Sequence, residues 1–299
     1  MAADVFVAGS LHLDVMVDAP RLPRLDETLA GQAVRYVFGG KGGNQAVAAA
    51  RMGARTEMAG AVGTDSFADI LLAALDEVGV DRSRVAQVPG ASGMSVAITD
   101  KKGDYGAVIV SGANLRIDPA AAIPPKGTRV LVLQNEIPEV VNLAAAEVAA
   151  RQGTRVILNA APARPLPPAL LAATSVLVVN RGEAAALSGL PATAPEEAAE
   201  AILAKGPDAV IVTLGAEGLL CCRRDGPPFA ASAYPVPVVT THGAGDAFTG
   251  ALAAELASGT ELSDAALFAE AAAALYVSTQ PEDRTGITRE AAEALAARG

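Results

Sequence analysis

Residues 240–250 have the sequence TTHGAGDAFTG, a glycine-rich turn followed by apolar residues. Gly243 and Gly245 allow backbone angles that a side chain would disfavour, so successive N–H groups can converge on one point. Apolar residues then recur at four-residue spacing from Phe248 to Leu256, which predicts a helix. Because the N-terminal end of a helix is electropositive and would point at the same place, this stretch predicts an anion site.

Asp246 lies at the junction of the predicted turn and helix. A carboxylate beside an anion site is electrostatically unfavourable unless it has a chemical role. Taking a proton from a hydroxyl during phosphoryl transfer is such a role. The same residue could instead be a helix N-cap after a glycine turn, and the tetrapeptide alone does not separate the two interpretations.

A second glycine-rich segment, FGGKGGNQA at residues 38–46, precedes an alanine-rich helix that we expect to end near Gly53. Two such turns in one chain suggest one substrate held between them. GGKGGN at 39–44 and GAGD at 243–246 resemble the two signatures of the PfkB carbohydrate kinase family, and within it the ribokinase branch. The resemblance extends over nearly the whole length.

Composition limits the class of protein. A chain of 299 residues, of which 51% are hydrophobic, can bury a large core without disulfides or metals. Cys221 and Cys222 are adjacent and poorly placed to bridge each other, which favours a reducing compartment. The net charge of −10 argues against a nucleic acid polymer as partner. Neither a signal peptide nor a membrane span is evident, so we expect a cytoplasmic protein that does not bind membranes.

Short apolar runs alternate with helix-length Ala- and Glu-rich segments. This alternation predicts an α/β fold with a doubly wound, mostly parallel sheet and helices on both faces. The apolar runs are residues 5–9, 130–133, 156–158, 176–179 and 210–212.

Two extended segments, at about 11–37 and 92–111, interrupt this pattern, the second around a predicted turn at 100–104. The resemblance implies that they form a small β-sheet lid on a single ribokinase-like domain spanning 1–299. It also implies that two copies pair through this lid as a homodimer.

Polar residues and glycines follow the predicted strands. The carboxyl ends of parallel strands form the ligand-binding edge of open α/β sheets, so the recurrence predicts a site there. The residues concerned are Glu136, Asn159, Pro162, Asn180, Glu183, Thr213, Gly215 and Gly218.

Other nucleotide and catalytic patterns are missing. Neither glycine cluster has the third glycine of a dinucleotide fingerprint, which disfavours an NAD(P)-dependent oxidoreductase. Lys41 is followed by Gly42 and not by Ser or Thr, so there is no Walker P-loop. The only histidines are His12 and His242, which disfavours a histidine-rich metal site and a Ser-His-Asp hydrolase.

The resemblance implies a role for each matching residue. Asp246 would deprotonate the acceptor hydroxyl, and the backbone N–H groups of Gly243, Ala244 and Gly245 would stabilise the transferring γ-phosphoryl group. Glu183 would help to hold Mg²⁺, through water. The implied sugar contacts are His12, Asp14, Gly40, Lys41, Asn44 and Glu136, and the implied nucleotide contacts are Asn180, Thr213, Gly215 and Gly218.

The chain departs from the family pattern at three places. His12 stands where ribokinases have Asn, so the sugar pocket differs there. Thr240 and His242 stand where the family commonly has Asp and Thr, and residues 279–284 lack the usual glycine-containing loop. In ribokinases the position of Thr240 supplies a carboxylate to a monovalent cation. The requirement for K⁺ therefore stays open.

The sequence therefore predicts an ATP- and Mg²⁺-dependent kinase that phosphorylates a primary hydroxyl of a ribose-like sugar. A nucleoside, or another sugar such as deoxyribose or a ketohexose, is the alternative acceptor on the same fold. A catalytically silent sugar- or nucleotide-binding protein is the alternative of a different class, and Asp246, Lys41 and the complete Gly-Ala-Gly turn disfavour it.

Overall fold

A computed structural model of the chain describes residues 2–100 and 105–298. Residues 101–104 of the predicted turn lie outside this part of the chain. The strands are β1 Val5–Ala8, β2 His12–Asp18, β3 Ala33–Gly39, β4 Thr56–Val62, β5 Asp81–Gln87, β6 Gly93–Thr99, β7 Tyr105–Val110, β8 Val130–Gln134, β9 Arg155–Asn159, β10 Val176–Asn180, β11 Ala209–Thr213, β12 Leu219–Arg223 and β13 Phe229–Ala231. The helices are α1 Lys41–Arg51, α2 Ser66–Glu77, α3 Glu139–Gln152, α4 Pro168–Ala172, α5 Arg181–Ser188, α6 Pro195–Leu203, α7 Ala244–Ser258, α8 Leu262–Ser278 and α9 Arg289–Ala296.

The large sheet has the strand order β13-β12-β11-β10-β9-β8-β1-β4-β5. Its strands from β11 to β5 are parallel to their neighbours, whereas β12 and β13 pair antiparallel at one edge. The five predicted apolar runs correspond to β1, β8, β9, β10 and β11, and only Gly9 of the first run lies outside its strand. These strands are almost wholly buried, because helices cover both of their faces.

Alternate residues of β1 pack into two different hydrophobic cores. Val5 and Val7 belong to the core that also contains apolar residues of α1, α2, α7 and α8. Phe6 and Ala8 belong to the core formed with α3, α4, α5 and α6. The doubly wound arrangement with helices on both faces is therefore confirmed.

The small sheet has the order β3-β2-β6-β7 and lies within the two predicted lid segments. β2 and β6 are parallel, and the other two pairs are antiparallel. Its register places Val15, Tyr36, Val96 and Val108 side by side on one face, and Asp14 beside Ser95 on the other. One face of this sheet is thus apolar and the other carries the predicted sugar-binding carboxylate. The lid function and the division of the chain as one domain stay predictions.

Two helices differ from the expected form. α1 begins at Lys41, so Gly42 and Gly43 lie inside its first turn and not in a preceding loop. α7 is buried on all sides from Asp246 to Ala257, because it packs between α1 and α8. No helix within the described residues is long and apolar enough to span a membrane.

Candidate active site

The N-terminus of α7 forms one wall of the site. Gly243 is its N-cap residue, with φ at 85°, and a Cβ there would lie 2.7 Å from the Tyr276 hydroxyl. Gly243 is therefore required for conformation and for space. Gly245 is different, because its φ is not in the left-handed region and a Cβ there would meet no atom within 4 Å. The expectation that Gly245 also needs an unusual backbone angle is wrong: it lies in the first helical turn and faces open space.

Asp246 is buried at the third position of α7 and does not cap the helix. Its Oδ1 accepts a hydrogen bond of 2.9 Å from Gln45 Nε2, and its Oδ2 accepts one of 3.2 Å from Asn44 Nδ2. Both donors come from α1. Gly250 permits this close approach of the helices, since a Cβ there would lie 2.5 Å from the Ala48 Cβ.

Opposing effects act on the charges of Asp246 and Lys41. Burial raises the pKa of the Asp246 carboxyl, although Lys41 and the hydrogen bonds from Gln45 and Asn44 act in the other direction. Burial alone would lower the pKa of the Lys41 ammonium, but nearby carboxylates, above all Asp246, raise it. Lys41 therefore stays cationic, and Asp246 is a base with increased proton affinity.

The N-terminus of α1 is held by a partly buried network. Gly40 is its N-cap, with φ at 86°. Glu136 Oε2 accepts hydrogen bonds from the Lys41 backbone N at 2.8 Å and from Ser10 Oγ at 2.5 Å. Gly42 packs on the backbone that follows β1, and a Cβ on Gly42 would lie 2.5 Å from the Ser10 backbone N. Glu136 therefore contacts the backbone of the glycine-rich segment, and its predicted contact with sugar stays a prediction.

His12 and Asp14 lie on the same strand, β2, two residues apart. His12 is buried, its Nδ1 lies 3.8 Å from Glu136 Oε2, and its Nε2 has no hydrogen-bond partner among the described residues. The Asp14 carboxylate accepts a hydrogen bond from Ser95 Oγ and lies against Gly39, where a Cβ would be 2.2 Å from Asp14 Oδ2. Both side chains thus border the start of α1.

Asn180 and Glu183 form a capping box at the start of α5. The Asn180 side chain accepts from the Glu183 backbone N at 2.9 Å, and Glu183 Oε2 accepts from the Asn180 backbone N at 2.8 Å. The pKa of Glu183 is raised, mainly by burial and further by Asp246. The motif therefore starts the helix and also places a carboxylate near Asp246.

Two adjacent pockets join these elements. The polar pocket, of about 250 Å³, is lined by Lys41, Asn159, Ala161, Val178, Val179, Asn180, Glu183, Thr213, Thr241, His242, Gly243, Gly245 and Asp246. The apolar pocket, of about 410 Å³, shares Thr213, Thr241 and Gly245 with it and is further lined by Gly215, Ala216, Gly218, Ala233, Tyr234, Pro235, Val236, Val238, Ala244, Phe248, Glu270, Ala273, Ala274 and Val277. The predicted nucleotide-binding residues and Asp246 are thus brought to one continuous cleft.

Sequence reasoning missed several residues of this cleft. Gln45 follows the predicted Asn44 directly, and an amide one position along a helix was a usable signal. Tyr234 and Glu270 lie in the apolar pocket but belong to no recognised pattern. Tyr276 contacts the N-cap of α7 only because α8 packs beside it.

The departures near the predicted cation region have defined positions. His242 is exposed and lines the polar pocket, and its backbone N donates to Thr240 Oγ1 at 3.3 Å. Residues Pro281–Gly286 form a short 3-10 helix in which Arg284 lies over the Tyr276 ring, 3.9 Å from its centroid. His242 is thus an exposed residue of the polar pocket, and the requirement for K⁺ stays open.

A family model described as pfkB family carbohydrate kinase matches residues 2–283. The chain belongs to the pfkB family. It is 30% identical over 298 residues to the ribokinase of Haemophilus influenzae, with 97% of each chain covered. It is 34% identical over 259 residues to the deoxyribokinase of Salmonella typhi, with 84% of each chain covered.

A solved ribokinase structure agrees with this assignment. The ribokinase of Arabidopsis thaliana complexed with ribose and ATP superposes with a TM-score of 0.92 at 29% identity, and 99% of each chain is covered. The predicted ribokinase-like fold and the predicted ATP-dependent carbohydrate kinase activity are confirmed.

Proposed function

We propose that this kinase transfers the γ-phosphoryl group of ATP to the primary hydroxyl of a ribose-like sugar, with Asp246 as general base. The observation that supports it most is the placement of Asp246: buried, hydrogen-bonded to Asn44 and Gln45, and beside Lys41 at a helix N-terminus. A base near an electropositive helix end and an ammonium can deprotonate an alcohol while the phosphoryl charge is stabilised.

The nucleotide occupies the two pockets in this proposal. Its phosphates lie in the polar pocket, near the backbone N–H groups at the start of α7 and near Lys41. Its nucleoside lies in the apolar pocket, beyond the loop of Gly215 and Gly218, both of which have positive φ. The ribokinase of Arabidopsis thaliana, which was solved in complex with ribose and ATP, supports ATP as the nucleotide.

The polar pocket also fits Mg²⁺. Glu183 and Asp246 both line it, and burial raises the pKa of each carboxyl, so a divalent cation would relieve their charge. No cluster of three or more His, Cys, Asp or Glu suited to a metal exists among the described residues. Mg²⁺ suits such a site because it takes few protein ligands and keeps water and phosphate oxygens. When bound, it neutralises charge on the transferring phosphoryl group.

The acceptor lies between β2 and the start of α1. Asp14 and Asn44 suit vicinal hydroxyls, and the unpartnered His12 Nε2 can bond a further one. A site built to hydrogen-bond a hydroxyl discriminates strongly against its absence. The ribokinase of Haemophilus influenzae supports ribose, and the deoxyribokinase of Salmonella typhi keeps deoxyribose as the second candidate.

The test is acceptor-dependent ADP formation with Mg-ATP across ribose, deoxyribose, a ketohexose and nucleosides, with and without K⁺. We expect ribose to be the best acceptor and Asp246→Asn to lower kcat roughly 10²-fold or more. Asp225→Asn, at an exposed site, is the matched control and should be fully active. Equal or better turnover of deoxyribose would contradict ribose specificity, and an active Asp246→Asn enzyme would contradict the base assignment.

We further propose a homodimer through the apolar face of the small sheet. Tyr36 and Val108 on that face are 58% and 65% exposed, although they are large and apolar. Val108→Lys should raise the dimer dissociation constant by roughly tenfold or more, since it buries a charge. Light scattering after size exclusion measures this, with Val140→Lys, at a 62% exposed site on α3, as control. A wild-type protein that is monomeric at micromolar concentration would refute the dimer.

A further inference from the structure

A third cavity lies among α4, α5 and α6 and takes no part in the proposed catalysis. Its volume is about 390 Å³, which is in the range of small-molecule sites. Most of its lining is apolar and includes Leu166, Leu171, Leu187 and Ile202. Its charged lining residues are Arg164 and Lys205, and no carboxylate lines it on the described part of the chain. We call this cavity the arginine pocket.

Arg164 has a guanidinium group whose hydrogen bonds are incomplete. Its Nη1 donates to the Ile137 backbone O at 3.1 Å, whereas its Nε and Nη2 are buried and have no partner among the described residues. Burial lowers the pKa of Arg164, and only the charge of Glu139 opposes this effect. A buried cation with unmet N–H donors is unfavourable, and an anion that accepts from them removes the penalty.

Lys205 adds a second positive charge to the same pocket. It is exposed just after α6, and its Nζ donates to the Leu187 backbone O. An ammonium has three donors, so this bond leaves two of them for a ligand. Two cations beside apolar walls suit an organic anion, because the cations bind its charged group and the walls cover its hydrocarbon part.

Two segments of the chain connect the arginine pocket with the polar pocket. α5 carries Glu183 of the polar pocket and, one helical turn later, Leu187 of the arginine pocket. The chain after β9 also borders both, since Asn159 and Ala161 line the polar pocket and Ala163 lines the arginine pocket. A ligand that shifts either segment would therefore move residues proposed to bind Mg²⁺ and phosphate.

We propose that the arginine pocket binds an organic anion with a hydrocarbon body, of the class of medium-chain monocarboxylates, and that this ligand changes the affinity for the nucleotide. Its carboxylate accepts hydrogen bonds from Arg164, and its chain lies on the leucine and isoleucine side chains. The nucleotide changes the affinity for the anion by the same factor, because the coupling of two binding sites is reciprocal. This coupling rests on the proposed nucleotide position, whereas binding to the arginine pocket does not.

Isothermal titration calorimetry with octanoate, without nucleotide or acceptor, tests the binding site. Octanoate should bind the wild type at one site, and hexanoate should bind roughly tenfold more weakly because it buries two fewer methylenes. Octanol, which has no charge, should also bind roughly tenfold or more weakly than octanoate. Arg164→Met should raise the octanoate Kd roughly tenfold or more. Arg151→Met, at an exposed site on α3, is the matched control and should bind octanoate like the wild type.

A second variant, Ala186→Phe, blocks the arginine pocket without changing Arg164. Ala186 is an exposed residue of α5 that lines this pocket, so a larger side chain there leaves the hydrophobic core intact and takes up space that the ligand needs. Ala186→Phe should raise the octanoate Kd roughly tenfold or more, and urea unfolding verifies that both variants are folded. Octanol that binds as tightly as octanoate, or wild-type octanoate affinity in either folded variant, would overturn the anion site.

Equilibrium binding of ADP, without acceptor, tests the coupling. Saturating octanoate should change the ADP Kd of the wild type roughly fivefold or more, and ADP should change the octanoate Kd by the same factor. Arg164→Met should show neither change at the same octanoate concentration. An ADP Kd that octanoate leaves unaltered in the wild type would overturn the coupling.

These measurements need no phosphoryl transfer, so the outcomes can be separated. If no acceptor is turned over but octanoate and ADP binding are coupled through Arg164, the arginine pocket stands and the proposed acceptor chemistry falls. If turnover is normal but octanoate does not bind, the arginine pocket falls and the proposed function stands.

Discussion

Lys41 connects the charges of the active site. Its ammonium lies near Asp246, Glu136 and Glu183, and these carboxylates outweigh the effect of burial on its pKa. In return, Lys41 lowers the pKa of Asp246, against the raising effect of burial. One residue therefore favours a charged base and, in the proposed function, also faces the phosphates.

Replacing Lys41 should change the pH dependence of catalysis. Asp246 acts as a base only when ionised, so activity is lost as pH falls through its pKa. Without the ammonium that pKa rises further, and in Lys41→Met the loss of kcat/KM should begin at a higher pH than in the wild type. The rate at the optimum should also fall roughly 10²-fold. A pH profile of kcat/KM measures both.

The control for this profile is Lys126→Met, at an exposed site. In Lys126→Met, kcat/KM should fall at the same acidic pH as in the wild type. An acidic limb in Lys41→Met that coincides with that of the wild type would show that Lys41 does not set the ionisation of the base.

The two glycines at the start of α7 should respond differently to alanine. Gly243→Ala must adopt a left-handed φ and clash with Tyr276, so the free energy of unfolding should fall by about 1–3 kcal/mol. Gly245→Ala has an ordinary φ and should keep or gain up to about 1 kcal/mol of stability, but its methyl group enters the polar pocket and should lower kcat. Denaturant unfolding and kcat separate the effects.

Gly286→Ala is the matched control for both variants, because a Cβ at Gly286 meets no atom within 4 Å and the residue lies outside the two pockets. A fully active Gly245→Ala enzyme would argue against phosphate binding at this helix end.

Sequence patterns predicted some of these residues and missed others for a physical reason. Asp246 and Lys41 lie in glycine-rich segments that carry their own local signal. Gln45 reaches Asp246 through a contact between helices that are distant in sequence, and Glu270 lines the apolar pocket only because of how the chain folds. A glutamine or glutamate on an Ala-rich helix carries no mark of burial. Gly245 was predicted as a site residue but for the wrong backbone reason.

At the scale of elements, helix starts bring the site together. α1, α5 and α7 each begin beside the polar pocket, with Lys41, Asn180 and Gly243 at or next to their first residues. The parallel strands β10 and β11 end at the same level, since Asn180 pairs with Thr213. Anions are favoured where several helix N-termini converge.

The capping box of α5 allows its two members to be separated. In Glu183→Gln the amide oxygen can still accept from the Asn180 backbone, so stability should change little, while the Mg²⁺ concentration needed for half-maximal rate should rise roughly tenfold. Asn180→Ala should lower the free energy of unfolding by about 1 kcal/mol. Titration of activity with Mg²⁺ and denaturant unfolding measure the two effects.

Thr288→Ala is the control, because Thr288 caps α9 with its side chain and lies outside the two pockets. It should lose stability without any change in Mg²⁺ requirement. If Glu183→Gln needs no more Mg²⁺ than the wild type, Glu183 serves the helix alone.

Element positions were predictable to different degrees. The parallel core strands have uninterrupted apolar runs, because helices cover both of their faces. These runs allowed the strands to be predicted from the sequence. The antiparallel strands β12 and β13 were not predicted as an extension of the large sheet. Their own residues do not indicate which strand they pair with. Cys221 and Cys222 lie in β12, and burial raises the pKa of Cys221 to about 12, which makes an unreactive thiol.

At the scale of the whole molecule, the two sheets divide the proposed work. The large sheet brings β10, β11 and the start of α5 to the nucleotide, and the small sheet brings His12 and Asp14 to the acceptor. α1 joins them, because it follows β3 of the small sheet and packs on α7 over the large one. In the proposed homodimer, the apolar face of the small sheet pairs with a second copy.

The stability of the whole fold should carry a pH signature of Glu270. Its pKa rises from 4.5 to about 7 on folding, so the unfolded chain is ionised in this range while the folded one holds the proton. The stability present below pH 4.5 is therefore lost as pH rises to about 7 and changes no further above it. Glu270→Gln has no such titration, and its free energy of unfolding relative to wild type should increase across this window by about 3 kcal/mol. Urea unfolding at a series of pH values measures the difference, and the control Glu261→Gln should show no such trend. A constant difference in unfolding free energy between Glu270→Gln and wild type would mean that Glu270 finds a partner for its charge in the folded protein.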